Sequence, residues 1–212
     1  MSIRDRRVQY ETEGLERSDL HDDPIVQWQR WYDQSAEANL AEPNAMTLST
    51  VGKDGGPDSR IVLVRGVDQS GFAFYTNYDS AKSAQLTAHP QASAVFGWLD
   101  LHRQVRVRGT VSRLPAAVSD EYFSSRPRES QLGAWASPQS QPIHGREELL
   151  ARLAEVEQRF AGVDVQRPPH WGGWLLTPRE IEFWQGRPSR LHDRFKYTLQ
   201  SNGAWTIERL AP

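Results

Sequence analysis

Apolar residues recur along the chain at two periods, close to four and close to two, and the change from one to the other marks out its elements. Asp22 and Asp23 precede Pro24, which is a helix start with proline in the first turn. Ile25, Trp28, Trp31 (or Tyr32), Ser35 and Leu40 then follow at helical spacing. Strand patterns come next: Met46 to Val51, a KDGGP turn, Ser59 to Val67, a DQSG turn, and Gly71 to Thr76. Asp79 to Ala88 reads as a short helix capped by Asp79 or Ser80. Ala92 to Leu99 and Arg103 to Leu114 are two further strands. The second alternates cleanly, with Val105, Val107 and Val111 on one face and Gln104, Arg106 and Arg108 on the other. Ala116 to Ser125 reads as a helix, and so does Glu147 to Phe160, whose Leu149, Leu153, Val156 and Phe160 are spaced for one face. Trp174 to Leu176, Ile181 to Trp184, Phe195 to Leu199 and Trp205 to Leu210 close the chain as strands. Eight or nine strands that do not alternate with helices predict one mainly β domain, an antiparallel barrel with peripheral helices, rather than a doubly wound parallel sheet.

Composition narrows the chemistry. The chain has 212 residues, few enough for a single domain. A net charge of −2 with no strongly basic half argues against a general nucleic-acid binder. The absence of cysteine removes disulfides, thiolate nucleophiles, Fe–S clusters and Cys-based zinc sites. The histidines show no metal-ligand spacing, so no metal is expected. No run approaches the ~20 apolar residues needed to span a bilayer, and the N-terminus lacks the apolar core of a secretory signal, so the expected compartment is the cytoplasm. Residues 1–20 are charge-dense and poor in apolar positions, and read as a mobile N-terminal segment or lid rather than core. The basic residues are skewed: of 25, only Lys53, Lys82 and Lys196 are lysine and the rest are arginine. Arginine presents a planar fork suited to phosphate and carboxylate. A GC-rich genome accounts for such a bias in bulk, so the placement of the arginines carries more information than their number.

Three clusters stand out. Arg190, His192 and Arg194 alternate, and in an extended chain they would form one polar row. Ser124-Ser-Arg126-Pro-Arg128-Glu-Ser130 sets two arginines about a proline among hydroxyls, either a phosphate pocket or a plain helix-terminating loop. Arg60 and Arg65 flank an apolar strand, with Tyr75-Thr76 and Lys82 following. Five residues apart, the two arginines face opposite ways on a flat strand, so either the strand distorts near Gly66 or they contact different groups. Trp171, Trp174, Trp184 and Trp205 read as packing residues, with Trp184 the better ligand candidate because EFWQG runs into the Arg190 cluster. GxGxxG, the P-loop, HExxH and GxSxG are all missing.

At these clusters the chain resembles the pyridoxine/pyridoxamine 5′-phosphate oxidase family. The segments that carry the resemblance are RRVQY, EPNAM, SRIVLVR, FYTN, RQVRV, YFSSRPRESQLGAWASPQS, WGGW, IEFWQGRPSRLHDRF and ERLAP, in family order over nearly the whole chain. It implies an FMN-binding split β-barrel over residues 21–212, a homodimer with FMN at the interface, and no role for nucleic acid or membrane. The implied reaction is FMN-dependent oxidation of pyridoxamine and pyridoxine 5′-phosphates to pyridoxal 5′-phosphate, with O2 as acceptor and H2O2 released. Carried over by motif, the FMN contacts fall on Arg60, Ile61, Val62, Leu63, Arg65, Tyr75, Thr76, Lys82, Gln104, Gln139, Ser140, Trp184 and Arg194, with Gln139 and Ser140 expected from the partner subunit. The substrate contacts fall on Arg7, Tyr10, Arg65, Tyr122, Arg126, Ser130, Arg190 and His192. Arg190 and His192 are the implied catalytic pair, polarising the substrate ring, and no dedicated strong base is expected.

Two departures from the family pattern concern phosphate binding. Arg65 stands where the family commonly has lysine, and Ala81 where it often has a basic residue before Lys82. Two rival readings are a related FMN oxidase acting on another ring and a non-catalytic flavin-binding module. Tyr122, Arg126 and Ser130 argue against the first, and Arg190 with His192 against the second.

Overall fold

Eight antiparallel strands and five helices make up the computed structural model, which describes residues 9–212. The strands are β1 (Ala45–Val51), β2 (Pro57–Asp68), β3 (Gly71–Asn77), β4 (Gln91–Trp98), β5 (Arg103–Arg113), β6 (Trp171–Gln185), β7 (Asp193–Leu199) and β8 (Trp205–Arg209). They are ordered β3-β2-β1-β4-β5-β6-β7-β8, and β3 also pairs with β6, which closes six strands into a barrel and leaves β7 and β8 as an extension. The mainly β, single-domain expectation holds.

The barrel is split by β6. Its first half, Trp171 to Leu176, pairs with β3, whereas Glu180 to Gln185 pairs with β7. The sequence predicts two strands here, because Thr177-Pro178-Arg179 reads as an interruption. The structure runs one strand of 15 residues through it. Proline has no N–H to give a ladder, but Pro178 falls where β6 exchanges β3 for β7 and where the β5 ladder shifts register. Gly109 faces this irregularity, and a Cβ there would lie 2.0 Å from the Thr177 carbonyl oxygen.

Helix α1 (Pro24–Glu37) starts at Asp23, whose Oδ1 accepts the Ile25 and Val26 N–H groups at 2.8 and 3.4 Å. Such a cap is worth about 0.5–2 kcal/mol. The helix buries Trp28 and Trp31 against the barrel. Trp28 meets Phe72 and Phe96 edge-on at 5.4 and 5.1 Å, and Trp31 meets Phe183 edge-on at 5.2 Å. Edge-on pairs add about 0.5–1.5 kcal/mol each beyond their buried area. Val105, Val107 and Val111 are buried as their alternation requires. Leu15 and Leu20 join this core, so residues 9–20 include core positions and are not a surface tail throughout; residues 1–8, with Arg7, lie outside the described part.

Helices α2 (Ala81–Ala88), α3 (Ala116–Ser124), α4 (Arg128–Ala136) and α5 (Arg146–Arg159) lie outside the barrel. The sequence reading leaves α4 as loop. Pro127 in fact sets its N-cap at φ −53°. Phe123, Leu132, Phe160, Val165 and Trp171 form a second, smaller core beneath α3–α5. Among the described residues, no helix is long and apolar enough to cross a membrane.

Candidate active site

The two arginines of β2 are reconciled by one extra residue. Val64 pairs with Phe74 and Gly66 with Ala73, so Arg65 is bulged out of the β2–β3 ladder. Before Val64, β2 keeps β1 as its partner and runs without β3 beside it. Arg60 and Arg65 therefore both border a single cavity of about 820 Å3. Ile61, Val62, Leu63, Tyr75, Thr76, Lys82, Tyr122, Arg126, Ser130 and Gln139 line it as well. Twelve of the residues singled out in the sequence are thus brought together. Ser125, Pro127 and Trp171 complete the wall.

Trp171 escapes the sequence reading because its role depends on pairing at a distance. It lies opposite Asn77 in the β3–β6 ladder. There it stacks with Tyr75 at 5.6 Å, and Tyr75 stacks on Tyr122 at 3.9 Å. The Arg126 guanidinium carbon lies 4.5 Å from the Trp171 ring centre. Arg128 turns away, donating to the Phe160 and Val163 carbonyls at 2.6 and 3.0 Å.

Among the described residues, the cavity wall contains four cations and no carboxylate. Arg60 is partly neutralised by Asp58 at 2.5 Å. Lys82 Nζ donates to Gln139 Oε1 at 2.9 Å, Thr76 Oγ1 at 3.1 Å and Ser80 Oγ at 3.3 Å, all neutral oxygens. Burial, followed by repulsion from Arg60, pulls the Lys82 pKa down to about 8. Arg126 Nη1 is buried and, among the described residues, has no hydrogen-bond partner. A buried donor left unpaired costs about 1–3 kcal/mol, so the pocket carries a standing preference for an anion. Gln139 reaches this pocket from its own chain, a correction to its expected origin in the partner. Ser140 is exposed with φ +70° and does not line the cavity, and Ala81 is the first residue of α2.

A second group lies elsewhere. Gln104, Trp184 and Arg194 occupy one register row across β5, β6 and β7, facing away from the buried row of Val105, Phe183 and Phe195. Arg194 Nε donates to Glu182 at 2.9 Å and Nη1 to the Ala211 carbonyl at 2.9 Å. His192 packs on Trp184 at 4.6 Å, and its Nδ1 accepts the Arg187 N–H at 3.1 Å. Burial and the Arg190 charge lower the His192 pKa. Tyr10 stacks on His102 at 4.3 Å and lies 5.8 Å from His192.

Arg190, His192 and Arg194 are not one strand face, which corrects the sequence reading. Pro188–Arg190 is a 3-10 turn, and β7 begins only at Asp193. Ser189 and Arg190 both take left-handed backbone, φ +56° and +62°. Each costs of order 1–3 kcal/mol, strain of the kind stored at functional turns.

Residues 32–160 match the family model described as pyridoxamine 5′-phosphate oxidase, and residues 171–212 match the pyridoxine 5′-phosphate oxidase C-terminal dimerisation region. The chain belongs to the pyridoxamine 5′-phosphate oxidase family. It is 53% identical to a pyridoxine/pyridoxamine 5′-phosphate oxidase of Synechocystis sp., over all of this chain and 99% of that one. It is 51% identical to the enzyme of the same name from Burkholderia orbicola, with the same coverage. Among solved structures it resembles PhzG from Burkholderia lata in complex with tetrahydrophenazine-1-carboxylic acid, at 31% identity and TM-score 0.89, covering 97% of this chain and 100% of that one. A Nostoc punctiforme FMN-binding protein related to pyridoxamine 5′-phosphate oxidase shares the fold, at 18% identity and TM-score 0.71, covering 87% of this chain and 97% of that one.

The family implies FMN, and the residues fit it. Unpartnered Arg126 Nη1 and a lysine held only by neutral oxygens suit phosphate, and 820 Å3 falls in the usual range of ligand cavities, about 300–1,000 Å3.

Proposed function

We infer that this protein is an FMN-dependent oxidase converting pyridoxamine 5′-phosphate and pyridoxine 5′-phosphate to pyridoxal 5′-phosphate. The observation that carries the reading is a cavity wall that, among the described residues, has four cations and no acid, one cation bearing a buried donor without a partner. Arg60, Lys82, Thr76 and Gln139 hold the FMN phosphate, while Ile61, Val62 and Leu63 run along the flavin. Tyr122, Arg126 and Ser130 cradle the substrate phosphate, and Arg65 sits between the two ligands. FMN held by these residues would supply the two-electron acceptor for the C4′ hydride and pass the electrons to O2 as H2O2, the proton on the C4′ substituent leaving to solvent and, for the amine substrate, water releasing the nitrogen as ammonia.

The rest of the chemistry is orientation and electrostatics. Arg190 supplies positive charge beside the substrate ring as electron density leaves it. His192 receives the Arg187 N–H on Nδ1, so its neutral form carries the proton on Nε2 and presents it as a donor. Asp193 is engaged by arginines and serves as no base. Gln104, Trp184 and Arg194 contact the flavin, as does Ser140.

The working unit is a homodimer. The Trp184–His192 group lines no part of its own chain's cavity, and pairing of two copies through the 171–212 region completes each site across the interface. Tyr10, beside His192, meets the substrate from the N-terminal side. Phosphorylated substrates and FMN are multiply charged and do not cross bilayers, so the enzyme works where they are made, in the cytoplasm.

Anaerobic addition of pyridoxamine 5′-phosphate to the purified yellow protein tests the reading. Bleaching of the flavin band is expected, followed by recovery on admitting air. A colourless protein, or a yellow one that keeps its colour, overturns it.

A further inference from the structure

One carboxylate joins three pieces of the chain at the catalytic turn. Asp193 is nearly buried, between His192 and Arg194. Its Oδ2 accepts the Leu15 N–H at 3.0 Å and faces Arg187 Nε at 3.5 Å, while its Oδ1 accepts Arg209 Nη1 at 2.7 Å. Each arginine then reaches the N-terminal segment. Arg187 Nη1 donates to the Thr12 carbonyl at 2.9 Å, and Arg209 Nη2 to the Leu15 carbonyl at 3.2 Å. Thr12 Oγ1 returns a hydrogen bond to the Gly186 carbonyl at 2.5 Å. Tyr10 lies against Gly186 so closely that a Cβ there would come within 2.6 Å of its ring.

We propose that Asp193 is a positioning residue: it clamps the Thr12–Leu15 strap to the Gly186–His192 turn and so sets Tyr10, Arg190 and His192 in place for substrate. The proposal rests on the assignment of those three residues to the substrate. No proton or electron passes through Asp193. Two cations share its carboxylate, and the Leu15 amide occupies the same oxygen as Arg187. The turn it anchors holds two consecutive left-handed residues, and an extended strand would relax them. The clamp opposes that relaxation from the strand side.

The test uses the FMN-loaded, full-length protein and two variants, Asp193→Asn and Arg209→Gln. Two readouts are taken: hydrogen exchange at the Leu15 amide, and the separate KM and kcat for pyridoxamine 5′-phosphate. In Asp193→Asn, Leu15 exchange is expected to rise and KM to rise by about tenfold or more, the scale of one lost charged hydrogen bond, with kcat nearly unchanged. Arg209→Gln, altered on an exposed arginine, should move both readouts in the same direction by a smaller amount, and it decides the matter if the first variant does not fold. Faster Leu15 exchange with an unchanged KM overturns the proposal. So does a large fall in kcat at constant KM, which would make Asp193 a proton acceptor. An inactive wild type overturns the assigned function instead, and the exchange data then still report on the clamp.

Discussion

The Lys82 ammonium donates to the Gln139 side-chain oxygen across 2.9 Å, and none of its partners carries a negative charge. A phosphate placed beside it favours the charged form and raises a pKa that burial holds at about 8. FMN binding therefore takes up a proton above that pH. The affinity of the apoprotein for FMN is expected to be flat near pH 7 and to weaken as pH rises through about 8. The stability of the apoprotein moves the other way. The unfolded lysine keeps its proton up to about 10.5, so stability rises between about 8 and 10.5 as the buried charge is lost. Quenching of flavin fluorescence across pH 7–10 measures the first effect. Lys82→Met should lose about 1.5–3 kcal/mol of binding at pH 7 and flatten the profile. An affinity in the wild type that does not change over this range contradicts the assignment of Lys82 to phosphate.

Arg126 predicts an unusual combination. Arg126→Met keeps the apolar stem over Trp171 and deletes a buried donor that has no partner among the described residues. Removing such a group relieves about 1–3 kcal/mol, against a cation–π contribution of similar size. The melting temperature of the ligand-free protein should hold or rise. The KM for pyridoxamine 5′-phosphate should increase by about tenfold to a hundredfold, the measure of a lost charged hydrogen bond. Turnover of unphosphorylated pyridoxamine should not change. Calorimetry and steady-state kinetics check both halves, and an unaltered KM removes Arg126 from the phosphate cradle.

Two glycines separate backbone contact from helix propensity. Gly109→Ala drives a Cβ onto the Thr177 carbonyl at the β5–β6 irregularity, and backbone there cannot move aside cheaply. A loss of about 1–3 kcal/mol is expected. Gly133 lies within α4 and a Cβ there meets nothing within 4 Å, so Gly133→Ala should gain up to about 1 kcal/mol. Thermal melts of the two variants should shift in opposite directions. A shift in the same direction would mean that the close approach at Gly109 relaxes freely.

Periodicity made most of this barrel legible, because a half-buried strand shows its faces directly, as Val105, Val107 and Val111 do. It failed where one residue breaks the count. Pro178 looks like an end of strand in sequence, yet it sits where β6 changes partner and needs no ladder hydrogen bond. The bulge at Arg65 could be posed from spacing but was decided only by pairing with β3. Arg190 and His192 were legible as residues and misplaced as geometry, since alternation cannot reveal a left-handed turn without glycine. Trp171 and Asp193 were legible least. One owes its place to a register with Asn77, and the other to a strap that ends far away in sequence.

His192 yields a pH prediction with a definite sign. Its Nδ1 accepts from the Arg187 N–H, so protonation must break that bond. Burial and then the Arg190 charge both disfavour the imidazolium and hold the pKa below the ordinary 6.5, against a smaller pull from Asp193. The neutral ring with its Nε2–H donor is thus the working form, and activity is lost only when acid charges it. The acid limb of kcat/KM for pyridoxamine 5′-phosphate should fall below pH 6.5. His192→Asn, which keeps a donor but cannot titrate, should lower activity and abolish that limb. In Arg190→Gln the like charge is gone, and the His192 ring should titrate higher than in the wild type, followed by its NMR chemical shifts. A limb above pH 6.5 in the wild type, or one that survives in His192→Asn, would assign the titration to another group and leave His192 as packing for Trp184.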